Sequence, residues 1–202
     1  MNQDKNNPHN NTNTFIWIVA GKRGMGKTTL VKKLLNDLTK KESIIIFDYH
    51  HEFSQYEICQ NLGFLTTYIN NQNEKNSKIQ AIFWPNDSDK LDMDKLFTIV
   101  CKIVYNQGNI VFIIEECDNY CNPYYINEYF RQIIEYGRHK GISLICVTRR
   151  LKNISRSLTA QATRIYTFRQ TEKLDLKVIE FLGLPSDIVQ TLPDYKFISL
   201  EL

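Results

Sequence analysis

The sequence predicts an α/β fold in which helices cover both faces of a central, mostly parallel sheet. Two observations predict it. Short apolar runs rich in β-branched and aromatic residues alternate with longer helical patterns along the 202-residue chain. The first of those runs are largely apolar, as strands buried on both faces of a parallel sheet are. With 43% hydrophobic and 23% charged residues, the chain can bury a core, which excludes wholesale disorder.

The strands come first, because their composition is the clearest signal. We predict seven strands, at residues 14–20, 43–48, 79–84, 109–114, 142–148, 164–168 and 196–200. Helical spacing of apolar residues predicts five helices, at residues 27–39, 89–105, 125–138, 174–182 and 186–192. Gly108 and Gly141 stand just before two strands, where the end of a helix needs a left-handed residue. The polar segment 70–77 predicts a surface loop.

The N-terminal composition and the cysteines indicate the domain organisation and the cellular compartment. Residues 1–13 are polar and rich in Asn, so we expect a disordered tail followed by a single domain over residues 14–202. No run approaches the roughly 20 apolar residues that span a bilayer, and the tail has no apolar signal segment. Five cysteines at irregular spacing argue against a disulfide scaffold. We therefore expect a cytoplasmic protein that is not integral to a membrane.

The positive charge is concentrated in one window. Residues 131–170 hold nine Lys or Arg and one acidic residue, Glu135, in a chain whose net charge is +3. Seven of the eight arginines lie there. Because the guanidinium fork matches phosphate oxygens, the window indicates contact with polyphosphate or nucleic acid. A solvated face that balances acidic segments elsewhere explains it equally well.

Residues 21–28 read GKRGMGKT and match the Walker A pattern G-x4-G-K-[ST] between a predicted strand and a predicted helix. The glycines let backbone N–H groups turn toward a phosphate, and the helix directs its positive dipole end there. In this pattern Lys27 reaches the β- and γ-phosphates of ATP, and the Thr28 hydroxyl binds Mg²⁺. The phosphate-binding residues that it predicts are Gly21, Lys22, Arg23, Gly24, Met25, Gly26, Lys27, Thr28 and Thr29. For Thr29, packing in the first helical turn is the more ordinary interpretation.

Glu115 and Glu116 close the buried run 109–114, where two carboxylates are costly unless they serve a purpose. In an ATPase of the Walker B type, the first acid supports Mg²⁺ and the second activates the attacking water. We assign Glu115 to the metal and Glu116 to the water, although Asp is usual in the first position. An acid-bearing strand beside the phosphate-loop strand is typical of ATPases with an added central strand. The GTPase strings D-x-x-G and N-K-x-D do not occur.

These motifs together resemble the FtsK–HerA superfamily of DNA-pumping ATPases, and most of all the genome-packaging ATPases of tailless, often membrane-containing, icosahedral viruses. IIIFDYHHEF (44–53) is similar to the family's D-x-x-x-E-F segment, and IIEEC (113–117) to the Glu-Glu variant of the HerA branch. YGRHKGISLICVTRR (136–150) is similar to a helix that ends in Gly-Arg, followed by a turn, a strand and a polar sensor. LTAQATRIYTFR (158–169) is similar to the next loop and strand. The resemblance covers about residues 15–200.

The resemblance implies a RecA-like P-loop NTPase of the ASCE class that binds Mg·ATP and hydrolyses it. Active sites in this family need a neighbour's arginine, which implies a homo-oligomeric ring, with a hexamer as the expected size. It favours Arg138 as that arginine finger; a cation that offsets a helix dipole, or a DNA contact, are the alternatives. The family's sensor is Gln, and here Arg149 stands in its place. A cation cannot accept a hydrogen bond, so Arg149 could instead touch the γ-phosphate.

The same resemblance implies double-stranded DNA as the partner, threaded through a pore near the basic window, and contacts with capsid or virion membrane proteins. It implies the host cytoplasm as the location, with association with the virion. Two other functions stay open: a cellular or plasmid DNA translocase, and an assembly ATPase that does not act on DNA. Residues 48–52, which include Asp48, His50 and Glu52, follow the second strand. We expect them near the active crevice or capping its loop.

Overall fold

The computed structural model describes residues 14–38, 42–85 and 92–202, so the predicted tail 1–13 lies outside it. Within these ranges eight strands form one sheet. They are β1 (Ile16–Ala20), β2 (Ser43–Phe47), β3 (Glu57–Cys59), β4 (Gln80–Phe83), β5 (Ile110–Ile114), β6 (Ile142–Thr148), β7 (Arg164–Phe168) and β8 (Phe197–Glu201). Their order across the sheet is β3-β4-β2-β5-β6-β1-β7-β8. All pairs are parallel except β7–β8, which is antiparallel.

The helices pack on the two faces of this sheet, which confirms the predicted three-layer α/β class. They are α1 (Lys27–Leu38), α2 (Leu62–Glu74), α3 (Met93–Gln107), α4 (Glu128–Tyr136), α5 (Arg156–Thr159), α6 (Lys173–Phe181) and α7 (Ser186–Thr191). Successive strand residues point to opposite faces. Ile18 therefore belongs to the apolar cluster with Phe97 of α3, and Val19 to the cluster with Leu35 of α1.

The sequence led us to expect the strand that delivers the two glutamates, β5, directly beside β1. In the structure the two strands are not neighbours. β6 is inserted between them, pairing Ala20 of β1 with Thr148 and Ile114 of β5 with Cys146. All seven residues of β6 are buried, so it forms the centre of the sheet. Its carboxyl end therefore lies between the phosphate loop and the acidic pair.

The prediction of a loop at residues 70–77 is wrong for its first five residues, because Asn70 to Glu74 continue α2. The Asn61 side chain caps this helix by accepting the Phe64 N–H at 2.8 Å. Leu65 and Ile69, four residues apart, are buried on its inner side. Two buried residues and a cap hold a helix whose last five residues are polar. The polar run therefore hides a helix that its own composition does not indicate.

Two smaller elements were also not predicted. β3 has three residues, and pairing with β4 rather than a long apolar run defines it. α5 has four residues and begins after Ser155, whose side chain accepts the Ser157 N–H. Gly108 and Gly141 do have positive φ, 61° and 68°, as expected before strands. A Cβ at Gly108 would lie 2.8 Å from the carbonyl oxygen of Lys140, so the two turns pack against each other.

The five cysteines are buried and unpaired, in agreement with the absence of a disulfide scaffold predicted from their spacing. Among the described residues, no helix combines the length and the apolar content that a membrane crossing requires.

Candidate functional site

The carboxyl ends of parallel strands share one edge of the sheet, and a cavity of about 480 Å³ opens there. The segments that follow β1, β2, β5 and β6 supply most of its walls, and the turn before β8 supplies the rest. Its lining residues are Arg23, Gly24, Gly26, Lys27, Thr28, Thr29, His50, Glu52, Glu115, Glu116, Val147, Thr148, Arg149 and Tyr195.

The loop between β1 and α1 has the geometry of an anion cradle. Gly24 and Gly26 have φ of 78° and 97°, values that a side chain would oppose. A Cβ at Gly21 would lie 2.6 Å from Phe168 Cβ, so glycine is needed there for space. Its N–H donates to the Thr148 carbonyl at 3.2 Å, which ties the loop to β6. The N–H groups that begin the 12-residue α1 are thus directed into the cavity edge.

Lys27, at the start of α1, lies among carboxylates. Its Nζ donates to the Lys22 carbonyl at 3.2 Å, within the loop itself. Burial lowers the pKa of Lys27, and the nearby charges of Glu115 and Glu52 oppose that shift. An anion in the loop would add to the negative charge that favours the ammonium form of Lys27.

Glu115 is the buried member of the acidic pair, with 5% of its surface exposed. Its N–H donates to the Phe47 carbonyl at 3.2 Å, which continues the β5–β2 ladder. Burial raises the pKa of Glu115 to about 8, and the charges of Glu52 and Asp48 add to the effect. Within the described ranges its Oε1 has no hydrogen-bond partner. An unpartnered buried oxygen facing a lysine and a phosphate loop suits a cation or an ordered water.

Glu116 is held by two neighbours and by a strained backbone. Its φ of 48° is left-handed, which is uncommon for a glutamate and is typical of functional sites. His50 Nε2 lies 2.8 Å from its Oε2, and Arg149 forms an ion pair with its Oε1. Burial alone would raise the pKa of Glu116. The His50 hydrogen bond and charge, and then the Arg149 charge, outweigh burial and lower it.

The segment after β2 divides its side chains between the cavity and the core. His50 and Glu52 line the cavity, and the Thr28 hydroxyl donates to Glu52 Oε2. Asp48 is fully buried and caps the loop, since its Oδ2 accepts the Phe53 N–H at 2.8 Å and the Trp84 indole N–H at 3.0 Å. His51 stacks on Trp84 with 4.5 Å between ring centroids. Both interpretations of this segment therefore hold, each for different residues.

The donors around Thr28 fit Mg²⁺ better than a softer metal. Thr28, Glu52 and Glu115 offer hydroxyl and carboxylate oxygens, the ligands that Mg²⁺ prefers. In the described part of the chain, no three His, Cys, Asp or Glu side chains come together as a metal-holding group. Mg²⁺ is commonly held by one or two protein oxygens together with substrate phosphates and waters, and this arrangement matches that pattern.

Arg138 and Arg149 lie at opposite ends of the central strand β6, Arg138 before it and Arg149 after it. Arg138 is in a 3₁₀ turn (Gly137–Lys140) just before β6, where it lines a separate cavity of about 350 Å³ with Phe15 and His139. Arg149 follows β6 and lines the first cavity. Seven strand residues span roughly 20 Å. The structure therefore brings Arg149, and not Arg138, to the cavity of its own chain.

Acids from the end of the chain pair with three of the nine basic residues in the window. Arg150 Nε lies 2.7 Å from the fully buried Asp175, and Arg164 lies 3.0 Å from Glu201. Arg169 pairs with Asp194. Within the described ranges no ion pair involves the window's remaining basic side chains, which are Arg131, Arg138, Lys140, Lys152 and Arg156.

Tyr195 is a lining residue that the sequence did not predict. It lies in the turn between α7 and β8, far along the chain from the phosphate loop. The string Pro193-Asp194 before a strand signals a turn, but nothing local indicates that this turn reaches the cavity. Folding of β7 beside β1 brings it there.

Comparisons place this geometry among known proteins. Residues 11–154 match the family described as AAA domain, which is more than half of the chain. No curated protein matches the chain in sequence. The solved genome packaging NTPase B204 from Sulfolobus turreted icosahedral virus 2, in complex with AMP, has the same fold. Its TM-score is 0.72 at 23% identity, covering 93% of this chain and 92% of that one.

Two other solved structures are similar. The DNA-packaging ATPase B204 from Sulfolobus turreted icosahedral virus has a TM-score of 0.65 at 23% identity, covering 93% of this chain and 92% of that one. VirB4 of Thermoanaerobacter pseudethanolicus has a TM-score of 0.60 at 11% identity, covering 98% and 91%. The resemblance to packaging ATPases that the motifs predicted is thus confirmed at the level of the fold.

Proposed function

Because the chain belongs to the AAA domain family and is an ATPase, we propose that its ATP hydrolysis moves double-stranded DNA, as the motor that packages a viral genome. The observation that carries the proposal is the full-length match to packaging NTPases, which extends over 92% of that chain as well as 93% of this one. The cavity described above supplies the chemistry that such a motor needs.

In this proposal the phosphate loop binds the triphosphate of ATP. Backbone N–H groups of residues 21–29 surround the phosphates, and the Lys27 ammonium neutralises the β- and γ-phosphate charge. The lowered pKa of Lys27 reflects the energetic penalty of holding that ammonium partly buried. Phosphate oxygens at this point would stabilise the charged form.

The Thr28 hydroxyl and the Glu115 carboxylate would hold Mg²⁺ beside the phosphates. When bound, the metal supplies positive charge where negative charge develops during phosphoryl transfer. Glu115 fits this role because its buried Oε1 has no hydrogen-bond partner among the described residues and Lys27 lies nearby. Glutamate in place of the more usual aspartate extends the carboxylate by one methylene from the end of β5.

Glu116 would accept the proton of the attacking water. Its lowered pKa keeps the carboxylate ionised, as a base must be. In the present arrangement His50 and Arg149 occupy both of its oxygens. A γ-phosphate would compete with Glu116 for Arg149, which lies close enough to Lys27 to affect its pKa. That exchange would free one carboxylate oxygen for water, and would give Arg149 the role of sensor that Gln has in the family.

We place Arg138 in the active site of a neighbouring subunit, within a homo-oligomeric ring that we propose to be a hexamer. Support comes from its position at the edge of the sheet opposite to its own nucleotide cavity. The other basic side chains of the window that form no ion pair among the described residues, Arg131, Lys140, Lys152 and Arg156, would bind DNA phosphates. Contacts of this kind hold the backbone with little sequence readout.

The location and the partners follow from the same proposal. A packaging motor acts in the host cytoplasm, where five unpaired cysteines are stable, and it docks on the virion through capsid or virion membrane proteins. A cellular or plasmid translocase would use the same cavity in the same way.

A second candidate, an assembly ATPase that does not act on DNA, is favoured by one observation. Four of the seven arginines in the basic window, Arg149, Arg150, Arg164 and Arg169, are paired with carboxylates of their own chain. The folded protein therefore presents less positive charge than its sequence suggests.

The ATPase rate with and without double-stranded DNA, measured together with the size of the assembly, decides between these functions. A packaging motor should be stimulated by DNA of any sequence. Its DNA affinity should fall about 10³-fold between roughly 50 and 200 mM salt if six phosphates are neutralised. An unstimulated ATPase that binds no DNA at low salt would contradict translocation and favour the assembly function. The Glu116→Gln chain, tested in parallel, shows how much of the rate belongs to this site.

A further inference from the structure

Tyr195 contributes an aromatic ring to the cavity at the carboxyl ends of the strands, and the proposed chemistry gives this ring no role. The residue is 71% exposed, although it lines the cavity. Its ring lies against the phosphate loop, since a Cβ at Gly26 would be 3.3 Å from Tyr195 Cδ1. A large ring left in solvent beside a ligand site has a face available for contact.

The backbone at Tyr195 is strained in a way that a tyrosine does not favour. Its φ is 64°, and it is the third residue of a turn closed by the Lys196 N–H donating to the Pro193 carbonyl at 3.2 Å. A positive φ at this position is the pattern of a type II turn, in which glycine is usual. A bulky residue kept in a sparsely populated conformation is a feature of ligand clamps.

Neighbouring contacts hold the turn in place. Arg169, just after β7, forms an ion pair with Asp194 and donates from Nη1 to the Leu192 carbonyl at 3.3 Å. Phe168, the last residue of β7, lies close to both Gly21 and Gly26 of the phosphate loop. The turn that carries Tyr195 is therefore held beside β7 by the Arg169 side chain, and the residue does not lie on a free segment.

The order of strands tells which end of a nucleotide would meet this ring. Glu116 follows β5 and Tyr195 precedes β8, and these strands lie on opposite sides of β1 in the sheet. A triphosphate that directs its γ-phosphate toward Glu116 must direct its sugar and base the other way. That way leads past Gly26 to Tyr195, and away from the carboxylates of Glu52 and Glu115.

We propose that Tyr195 is the stacking platform for the nucleobase of the bound nucleotide. The inference rests on the nucleotide binding in the proposed function and not on the movement of DNA. The ring offers a π-face, which any base can use, so the platform adds affinity for the base with little discrimination between bases. Loss of one such stack weakens binding by about 5- to 150-fold.

The test compares ATP with inorganic tripolyphosphate, which has no base. Both affinities are measured by calorimetry in the Glu116→Gln chain, which prevents turnover. Tyr195→Gly removes the ring and keeps a residue suited to the positive φ, so the turn should persist. We expect Tyr195→Gly to weaken ATP about tenfold or more and to leave tripolyphosphate within about twofold. Tyr195→Phe, which keeps the π-face, should restore ATP affinity.

Tyr195→Asn provides a second test of the ring, because Asn also tolerates a left-handed backbone. Tyr124→Ala is the matched control, since Tyr124 is exposed and lies outside the cavity lining. Equal losses for both ligands would assign Tyr195 to the phosphate loop and overturn the platform, as would unchanged ATP affinity. A parent chain that binds neither ligand would contradict the nucleotide chemistry as well. Absence of DNA stimulation would contradict translocation alone.

Discussion

Arg149 forms an ion pair with Glu116 across the carboxyl ends of two adjacent strands, β6 and β5. The pair joins the residue at the family's sensor position to the residue at the position of the catalytic base. His50 binds the other oxygen of the same carboxylate. Both oxygens of the Glu116 carboxylate are thus engaged, and a ligand that attracts Arg149 would free one of them.

We predict that Lys27→Ala abolishes ATP hydrolysis, because the loop loses the ammonium that neutralises the phosphates. Turnover should fall by on the order of 10²-fold or more, and ATP affinity should fall with it. Lys33→Ala, on the exposed side of α1, is the control and should keep both properties. Calorimetry and phosphate release measure the two effects. ATP binding of normal strength by the Lys27→Ala chain would contradict the assignment.

We predict that Glu116→Gln keeps ATP binding and loses turnover, because an amide cannot accept the proton of the attacking water. Glu115→Gln should act differently, by weakening the dependence of binding on Mg²⁺. Titration of nucleotide at several Mg²⁺ concentrations, followed by single-turnover rates, separates the two. Near-normal turnover in Glu116→Gln together with its loss in Glu115→Gln would reverse the roles.

We predict that Arg149→Ala moves the acidic limb of the rate–pH profile to higher pH. Burial raises the pKa of Glu116 and the His50 and Arg149 contacts lower it, so removing one cation leaves the carboxylate easier to protonate. Arg149→Lys keeps a positive charge and should shift the limb less. The profile of kcat/KM against pH is the measurement, because it reports the free enzyme, in which Arg149 contacts Glu116. A limb that stays in place would show that Arg149 does not act on Glu116.

We predict that Glu115 makes the nucleotide-free protein less stable as pH rises. The pKa is 4.5 for an ordinary glutamate and about 8 in the folded chain, so the folded state holds the proton more tightly. Its contribution to stability is complete below pH 4.5, declines above it, and is lost above about pH 8. The difference in Tm between Glu115→Gln and wild type should therefore grow from pH 5 to pH 8.5. The corresponding change in the free energy of unfolding should be a few kcal/mol, within roughly a factor of two.

Subtracting the wild-type curve of Tm against pH from that of Glu115→Gln removes the effect of the other titrating groups, which both chains share. A difference that does not change with pH would show that Glu115 titrates normally. Melting must be followed without Mg²⁺ or nucleotide, because either ligand would change the charge around the carboxyl.

We predict that two inactive chains regain activity when mixed, if Arg138 acts in a neighbour's site. Glu116→Gln supplies an intact arginine, and Arg138→Ala supplies an intact base. Interfaces in a mixed ring that join the two intact parts should hydrolyse ATP, so part of the activity returns. No recovery, in assemblies shown by sizing to be mixed, would give Arg138 a structural role. The same mixture with Arg149→Ala tests whether that residue acts within its own chain.

The fold could be predicted in large part because its strands are apolar and its turns are marked. All seven predicted strands exist, and the phosphate loop leads from β1 into α1 as its pattern requires. The position of β6 between β1 and β5 could not be read, since strand order depends on long-range pairing that no local pattern encodes. α2 was missed because its last five residues are polar and the helix depends on two buried residues and a cap.

The candidate site divides in the same way. Local sequence predicts the glycines of the phosphate loop, Lys27 and the two glutamates, because their chemistry requires a fixed spacing. The Arg149–Glu116 pair and the position of Tyr195 arise from the meeting of segments 33 and more than 160 residues apart. The neutralised arginines were invisible for the same reason, since their partners lie beyond residue 170.

The distance between Arg138 and the nucleotide cavity of its own chain has a consequence for regulation. With a trans role for Arg138, a lone subunit is an incomplete enzyme, and an open row of subunits always leaves one terminal cavity without its arginine. Closure of the ring completes every cavity at once. The rate per subunit should then rise steeply with protein concentration and fall reversibly on dilution. Subunits awaiting assembly would leave the ATP of the cell untouched.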